Sequence, residues 1–271
     1  MVISKNRTRV GLLFGGRSGE HEVSVTSARC VMQAIDRSLF EVIPIRVSKT
    51  GEWFCLGTLD TIERVDNLES LSGRRCVLLP WGEKGNLLYC DSDAPGLSSP
   101  NPAVPLDVIF PLIHGVQGED GTFQGLIGLS GVACVGADVL GSALGMDKAA
   151  AKKIFQQAGL QVTPYLWYYR RRWIYSPREV ALEIENRLGY PCFVKPSNTG
   201  SSVGISKAHN REELYPAMSL AASLDLKIIV EKALDVRELE CGVLGNENAE
   251  VSVIGEVIPA SEFYDYDSKY K

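Results

Sequence analysis

Apolar and polar residues at the amino terminus follow the order strand, turn, helix, strand. The apolar run Arg9–Phe14 predicts a buried strand, which Gly15–Gly19 interrupts. Apolar residues then recur at helical spacing from about Ser24, and Phe40–Val47 predicts a second strand. This order is typical of a βαβ unit in an α/β domain.

The region 48–105 departs from that regular order. It contains short strand-like pieces at Glu52–Leu56 and Arg75–Leu79, and a loop over 92–105 that is rich in Ser, Pro and Asn. We therefore expect a hairpin insertion at one edge of the sheet. The continuous apolar run Leu106–Ile113 that follows predicts a central parallel strand.

The second half of the sequence predicts helices with clear ends and short strands between them. Ser176–Glu179 has the pattern of a capping box, and Gly159 is suited to end a helix. The predicted elements are helices at Asp147–Ala158 and from Asn210 to Ala222, strands at Cys192–Lys195 and Lys227–Glu231, and an antiparallel pair of Glu238–Leu244 with Glu250–Val257. An α/β region thus gives way to an α+β region near residue 135.

Composition and charge exclude several classes of protein. The 271 residues are 45% hydrophobic and 23% charged, as in ordinary globular domains. The formal net charge of −5 argues against the basic field of a protein that binds nucleic acid or an anionic membrane. Because no apolar stretch approaches the roughly 18 residues of a membrane span, we expect a cytoplasmic protein.

Cysteine spacing and missing motifs exclude further chemistries. The seven cysteines are an odd number with no two within four residues, which argues against a zinc site or a CxxC redox motif. We expect most of them to be small core residues. The sequence also lacks GxGxxG and GxxxxGK[ST], so neither a dinucleotide turn nor a P-loop is predicted.

A loop rich in glycine and serine extends from Lys195 to Lys207, directly after a predicted strand. Small residues let backbone N–H groups approach phosphate oxygens, hydroxyls add donors, and the two lysines add positive charge. The loop therefore predicts a phosphate site. The alternative is a flexible surface turn.

Two clusters follow predicted strands of the first half. His114–Gly125 carries glycines and a histidine at the carboxyl end of a strand, where ligands bind in α/β sheets. Gly19–Glu22 offers a carboxylate for an ammonium group. The alternatives are an ordinary βα connection capped by Asp120, and acids that simply favour a helix dipole.

A fourth cluster follows the strand near the carboxyl terminus. The end of Ile228–Leu234 can offer backbone groups to an adenine edge, and the nearby Glu238 can hold ribose hydroxyls. The alternative is an edge strand with charged residues.

In this order the clusters resemble those of the D-alanine–D-alanine ligases, a branch of the ATP-grasp superfamily. The matching residues are LFGGRSGEHEVS (13–24), HGVQGEDGTFQG (114–125), MDK (146–148), FVKPSNTGSSVGISK (193–207), VEK with RELE (230–240) and FYDYDSKY (263–270). The resemblance implies an α/β and α+β fold. A Rossmann-like domain over 1–136, with the insertion 48–105, precedes an ATP-grasp fold divided into a central part, 137–231, and an incomplete part, 232–271.

The resemblance also implies a reaction and its residues. The family joins two D-alanines with ATP through an acyl phosphate, for peptidoglycan precursors of the cell wall. Glu20 is implied to hold the ammonium of the first D-alanine, His114 to lie near its carboxylate, and Glu20, Ser201 and Tyr270 to form a hydrogen-bonded catalytic set. The residues implied to bind ATP are Lys148, Lys195, Ser201, Ser202, Val203, Glu231, Lys232, Leu234, Glu238 and Lys269.

The resemblance implies that members of this family extend beyond the position that matches Lys271. The resemblance places the ligands of their two Mg²⁺ ions in that later part, so no metal ligand is expected in this chain. We therefore expect a truncated chain that is inactive or nearly so by itself. At full length a homodimer is implied, with D-alanine and ATP as small-molecule substrates and neither nucleic acid nor membrane as a partner.

Other functions remain open on the sequence. A ligase that joins D-alanine to D-lactate or D-serine is the first alternative, although Tyr270 favours D-alanine as the second substrate. A nucleotide-binding fragment without catalysis is the second. A Rossmann oxidoreductase is disfavoured because the dinucleotide glycine spacing is absent.

Overall fold

The computed structural model describes residues 7–61, 68–80, 85–90 and 102–258. The chain divides into two compact units, Met1–Ala151 and Lys152–Lys271, and each has its own sheet and core. Over the described ranges, the helices are too short or too polar to cross a bilayer.

The first unit is built on an eight-stranded sheet. Its strands are β1 (Thr8–Gly15), β2 (Phe40–Val47), β3 (Trp53–Cys55), β4 (Arg74–Leu78), β5 (Asn86–Tyr89), β6 (Pro102–Pro105), β7 (Val108–Pro111) and β8 (Ala133–Cys134). Their order is β6-β5-β4-β3-β2-β1-β7-β8. β1 pairs in parallel with β2 and β7, whereas β3 to β6 continue the sheet antiparallel.

The strand predicted over Leu106–Ile113 is shorter and less central than expected. It is confined to Val108–Pro111 and lies one strand from the edge of the sheet. The reason is the insertion, whose four antiparallel strands all extend the opposite side of β2 and so move the centre of the sheet away from β7.

Helices cover this sheet and supply its core. They are α1 (His21–Ala34), α2 (Thr122–Leu129), α3 (Val139–Met146) and the start of α4 (Lys148–Gln157), together with a single 3-10 turn at Leu59–Thr61. α1 buries Val25, Ala28 and Met32 against Phe14 of β1, as its helical apolar spacing predicts. α3 was not predicted, and it begins where the Asp138 carboxylate accepts a 2.7 Å hydrogen bond from the Gly141 N–H.

Over the described residues, the second unit contains a four-stranded antiparallel sheet, the rest of α4 and three further helices. The strands are β9 (Tyr165–Tyr169), β10 (Cys192–Pro196), β11 (Ser206–Ala208) and β12 (Lys227–Lys232), in the order β11-β10-β12-β9, and the helices are α5 (Arg170–Tyr175), α6 (Pro177–Arg187) and α7 (Arg211–Leu224). One face of the sheet packs against the helices, with Val194, Val230 and Ile184 fully buried there. Residues that alternate with these along the strands face the other way.

The pair of strands predicted near the carboxyl terminus is present but divided. β13 (Glu238–Glu240) pairs with β16 (Gly255–Val257), and β14 (Val243–Leu244) pairs with β15 (Glu250–Val251). The antiparallel direction is as predicted, and the two ladders are each only two or three residues long.

Two local expectations are wrong. The Ser176 side chain makes no capping hydrogen bond to α6, because the same residue also ends α5, where its N–H bonds the Arg172 carbonyl. The cysteines are also not mostly core residues, since several lie on outward-facing or terminal positions. Cys55, Cys76 and Cys192 are buried, Cys90 and Cys134 are half-buried, and Cys30 and Cys241 are exposed.

Candidate active site

The turn after β1 needs its two glycines. Gly15 and Gly16 have φ of 91° and 99°, and a Cβ on either would collide with its neighbours, the Val47 carbonyl and the Ile113 side chain. The Gly15 N–H donates to Ser24 Oγ at 2.7 Å, and the Gly16 N–H donates to the Val47 carbonyl at 2.9 Å. The turn therefore holds the start of α1 at the carboxyl end of β1.

Glu20 lies at this turn, directly before α1, and is only 6% exposed. Its carboxylate makes no capping hydrogen bond to the helix. It lies instead against Gly115, where a Cβ would collide with Glu20 Oε2. The structure thus brings Glu20 to the loop that begins at His114.

His114 is held by groups from both turns. Its Nε2 lies 3.0 Å from Ser27 Oγ, its Nδ1 lies 3.5 Å from Glu119 Oε1, and its carbonyl accepts a 2.7 Å hydrogen bond from Ser18 Oγ. The hydrogen bond with Glu119 raises the pKa of His114, although partial burial opposes this. Burial tends to raise the pKa of Glu119, but hydrogen bonds from His114 and the Gly115 N–H outweigh it and lower that pKa.

The surroundings of this pair fit a small polar ligand. A cleft of about 430 Å³ lies beside it, lined by His114, Glu119, Gln124 and Ser142 among others. Asp120, considered as a helix cap, accepts hydrogen bonds from the N–H groups of Gln117 and Thr122, so it shapes the loop and the first turn of α2. The lining of this cleft does not include Glu20, whose buried carboxylate lies beside it against Gly115. A carboxylate and a histidine placed this near each other can hold the two ends of an amino acid.

Sequence reasoning missed His21, which fastens the same turn from the other side. The buried ring places Nδ1 2.7 Å from the Gly16 carbonyl and Nε2 2.9 Å from Glu69 Oε1. The only signal was its place in the GEHE motif. In the described part of the chain, His21, Glu22 and Glu69 are the one group with the spacing of metal ligands, and Glu22 is already paired with Lys49 at 2.6 Å.

The second unit gathers charged residues on the open face of its sheet. Lys195 on β10 and Glu231 on β12 face the same side, and Lys195 Nζ lies 2.6 Å from Glu231 Oε2. Lys152 of α4 reaches the other oxygen, Oε1, at 2.9 Å. Burial tends to raise the pKa of Glu231, but the two ammonium groups outweigh it and lower that pKa.

Lys152 is a second residue that sequence reasoning missed. Its signal was its spacing from Lys148, because residues four apart in a helix lie on the same face. Lys148 itself is the first residue of α4 and belongs to the first unit, so its place near a nucleotide stays a prediction.

The loop after β10 has an unusual backbone. Ser201, Ser202 and Gly204 have φ of 45°, 60° and 75°, and a Cβ on Gly204 would collide with Leu224 and Pro196. Serines in this conformation cost on the order of 1–2 kcal/mol each, so the surrounding structure must enforce it. The stem of the loop is fixed by Asp225, whose carboxylate accepts hydrogen bonds from the Asn198 N–H and side chain.

The same loop spells G-x-S-x-G over residues 200–204. In hydrolases those letters form a sharp turn from a strand into a helix. Here the turn leads into strand β11 instead, so the serines are not placed as a nucleophile of that kind.

A cleft of about 270 Å³ unites this loop with the end of β12. Six of the predicted residues line it, namely Lys195, Ser202, Glu231, Lys232, Leu234 and Glu238. Val203 is part of the loop but not of this lining, and Lys269 and Tyr270 lie outside the described residues. Cationic, hydroxyl and backbone groups around an apolar side chain such as Leu234 suit a nucleotide.

Comparison with protein families decides the identity of the fold. Residues 9–137 match the model of the D-ala D-ala ligase N-terminus, and residues 154–271 match that of the D-ala D-ala ligase C-terminus. The chain belongs to the D-alanine–D-alanine ligase family. A relative in this family, the D-alanine–D-alanine ligase of Heliobacterium modesticaldum, is 48% identical over 265 residues, which are 96% of this chain and 69% of the relative.

Other ligases of the family match over the same length. The D-alanine–D-alanine ligase of Ruminiclostridium cellulolyticum is 44% identical over 98% of this chain and 71% of its own. Among solved structures, the VanG D-Ala:D-Ser ligase of Enterococcus faecalis aligns with a TM-score of 0.81 and 34% identity, over 98% of this chain and 74% of its own. The structure of the D-alanine–D-alanine ligase of Coxiella burnetii aligns with a TM-score of 0.79 and 28% identity, over 93% of this chain and 71% of its own.

Proposed function

We propose that this protein joins two D-alanines at the expense of ATP, giving D-alanyl-D-alanine for cell-wall peptidoglycan. The observation that carries the proposal is the buried Glu20 carboxylate beside the His114 loop, an arrangement suited to one amino acid. The membership of the chain in the ligase family supports the same reaction.

In the proposed complex, Glu20 accepts the ammonium group of the first D-alanine. Glu20 as a residue is only 6% exposed, so a charge-assisted hydrogen bond there is little weakened by water. His114, whose pKa is raised by Glu119, is proposed to lie near the substrate carboxylate. The two groups together fix which end of the substrate faces each residue.

The cleft of the second unit is proposed to hold ATP. Backbone groups from Glu231 to Leu234 face the adenine edge, Lys232 lies beside the ring, and Glu238 holds the ribose hydroxyls. The loop with Ser201, Ser202 and Val203 covers the phosphates, which Lys195 contacts directly, and Lys148 and Lys269 are proposed to do the same. Its lysines and hydroxyls give this cleft the donors that phosphate oxygens need.

The chemistry proceeds in two balanced steps. A carboxylate oxygen of the first D-alanine attacks the γ-phosphorus of ATP, and ADP leaves with the electrons of the broken P–O bond. The amine of the second D-alanine then attacks the acyl carbon, loses a proton, and inorganic phosphate leaves. Glu20, Ser201 and Tyr270 are proposed to form the set that orients the reactants.

The protein is proposed to consist of three domains, with boundaries near residues 136 and 231.

Mg²⁺ is proposed to arrive with ATP. The only described residues with metal-ligand spacing, His21, Glu22 and Glu69, do not fit it, because one donor is a nitrogen and Glu22 is paired with Lys49.

The test is an assay, with ATP, Mg²⁺ and D-alanine, of a version of the protein that spans the full length of its relatives. Release of phosphate that depends on D-alanine, with D-alanyl-D-alanine identified by mass, is expected. Phosphate release that is the same with and without D-alanine would contradict the proposal and leave a nucleotide-binding protein without ligase function.

A D-alanine–D-serine ligase is the second candidate, because the structure of a D-Ala:D-Ser ligase aligns over 98% of this chain. An equimolar mixture of D-alanine and D-serine separates the two candidates. We expect D-alanyl-D-alanine as the main product, and a predominant mixed dipeptide would favour the second candidate. The protein is further proposed to be cytoplasmic and to form a homodimer. Sedimentation of the purified chain tests the homodimer.

A further inference from the structure

One carboxylate in the second unit serves two lysines. The oxygens of Glu231 are divided between them, Oε2 to Lys195 at 2.6 Å and Oε1 to Lys152 at 2.9 Å. All three side chains are at least 79% buried. Among the residues that the structure describes, two positive charges therefore share one negative charge in a place with little water.

A nucleotide in the adjoining cleft changes this balance. Lys195 lines the cleft and must turn toward a phosphate oxygen if it is to neutralise that charge. The turn breaks its contact with Glu231. If Lys195 were the only partner of Glu231, its departure would leave a lone buried carboxylate. Because burial disfavours a lone charge, this would strongly oppose the movement of Lys195.

We propose that Lys152 is a positioning residue for nucleotide binding, which keeps Glu231 neutralised while Lys195 moves from that carboxylate to the phosphates. The inference rests on the proposed function, because it needs a nucleotide in this cleft. Lys152 itself acts only through Glu231, and the cleft does not include it.

The surroundings of Lys152 hold it in this place. Its ammonium group lies 5.6 Å from the centre of the Tyr165 ring, and the Tyr165 hydroxyl is 3.2 Å from Gln156 Oε1 on the same helix. Tyr165 is also the strand neighbour of Glu231 across β9 and β12. The lysine is thus fixed between a helix and the sheet, and it can stay with Glu231 when Lys195 leaves.

The next residue on α4 provides a matched control. Lys153 carries the same charge on the same helix, but its ammonium group lies 4.3 Å from the centre of the Trp167 ring. Lys153→Met therefore removes an equal charge near the same sheet face without touching Glu231. Any effect of net charge or helix propensity alone is common to both variants.

The first experiment measures binding of ADP by calorimetry to the full chain. Lys152→Met should raise the dissociation constant about tenfold, Lys152→Arg should restore most of the affinity, and Lys153→Met should leave it within about twofold. In a Glu231→Gln background, Lys152→Met should have little further effect. In turnover of a version that spans the full length of the relatives, Lys152→Met should raise KM for ATP and leave kcat at saturating ATP near that of the same version without the substitution.

A second measurement needs no nucleotide. The rate at which an amine-selective acylating reagent labels Lys195, read by peptide mass mapping, reports how tightly Glu231 holds it. With Lys152→Met the carboxylate has one lysine left, so labelling of Lys195 should slow at least about threefold, whereas Lys153→Met should not change it.

The outcomes separate the two proposals. If the unchanged chain binds no ADP, the proposed function fails, and slower labelling of Lys195 in Lys152→Met would still support the coupling between the lysines. If the chain binds ADP but Lys152→Met and Lys153→Met behave alike in binding and labelling, the role of Lys152 is overturned and the proposed function stands.

Discussion

Two glycine-rich loops in this protein follow strands, yet they are held in different ways. The turn at Gly15 and Gly16 is fastened to neighbouring elements by Ser24 and by the ring of His21. The loop over 200–204 is fixed chiefly at its stem, by Asp225, and its middle adopts backbone angles that serines rarely adopt. A rigid turn suits a small amino acid that must be gripped the same way each time, and a strained loop suits a cover for phosphates.

The largest effect expected from this contrast is on stability, at the crowded glycine of the second loop. Gly204→Ala should lower the free energy of unfolding by about 3 kcal/mol, because positive φ and overpacking against Leu224 add together. Gly189 has a similar φ of 70° with no atom near an added Cβ, so Gly189→Ala should cost only about 1 kcal/mol. Urea unfolding measures the stability of both variants. Equal losses of unfolding free energy would show that the contact of the added methyl group with Leu224 adds nothing to the cost of the positive φ.

The next effect concerns the grip of the first turn. In a version of the protein that spans the full length of its relatives, Glu20→Gln should raise KM for the first D-alanine by roughly 10- to 100-fold. The reason is that one charge-assisted hydrogen bond contributes about 1.5–3 kcal/mol. Glu22→Gln is the control, since Glu22 is exposed on the same helix and pairs with Lys49. Steady-state kinetics with both variants test this, and a KM that is unchanged in Glu20→Gln would remove Glu20 from the site.

A smaller effect should follow from loosening the stem of the second loop. Asp225→Asn keeps the shape but replaces one acceptor of the Asn198 hydrogen bonds by a donor, at a cost of about 1–2 kcal/mol. We expect a several-fold rise in KM for ATP and faster proteolytic cleavage near Ser201, with KM for D-alanine unchanged. If instead both KM values rise together, the two loops are not independent in the way that this contrast requires.

The smallest effect is the pH dependence of the His114–Glu119 pair. Because folding raises the pKa of His114, its contribution to stability is complete below pH 6.5, its ordinary pKa, and is lost as pH rises through its pKa in the folded protein. Because folding lowers the pKa of Glu119, its contribution to stability is present above pH 4.5, its ordinary pKa, and is lost as pH falls through its pKa in the folded protein. The pair should therefore stabilise most between these limits. Because Glu119 is 49% exposed, we expect less than about 1 kcal/mol.

Melting temperatures of the unchanged protein and of Glu119→Gln over this range check the expectation. Their difference should be greatest between pH 4.5 and 6.5 and should shrink on either side. A difference that is constant with pH would show that Glu119 acts through shape and not through charge.

Much of this architecture was predictable where local pattern and packing agree. α1 and the Asn210 cap of α7 follow from apolar spacing and from a side chain that accepts a hydrogen bond from the Glu213 N–H. The contacts of the sites were harder, because they depend on residues far apart in sequence. That Glu20 lies against Gly115 is a matter of strand order, which apolar pattern does not specify.

Misses occurred where a local rule competed with another. Ser176 satisfies the capping pattern but also ends α5, so the end of one helix decided its conformation. Lys152 was overlooked because a lysine on a helix is most often solvated, and only the strand register places Glu231 within its reach. Helix α3 carries two glycines, which lower helix propensity, and the cap by Asp138 offsets that loss.

The alternation along β12 also governs how the chain avoids misfolding. Ile228 and Val230 face the helices. Glu231, which lies between Val230 and Lys232, faces the opposite side, where Lys195 and Lys152 contact it. If β12 paired with β10 one residue out of step, every side chain would change faces, and the carboxylate would enter the apolar layer under α6 and α7 without a cation. Glu231, which we place beside the nucleotide, therefore also disfavours the wrong alignment of β12 during folding. Replacing it by an apolar residue should make mispairing of β12 with β10 more frequent, independently of any effect on nucleotide binding.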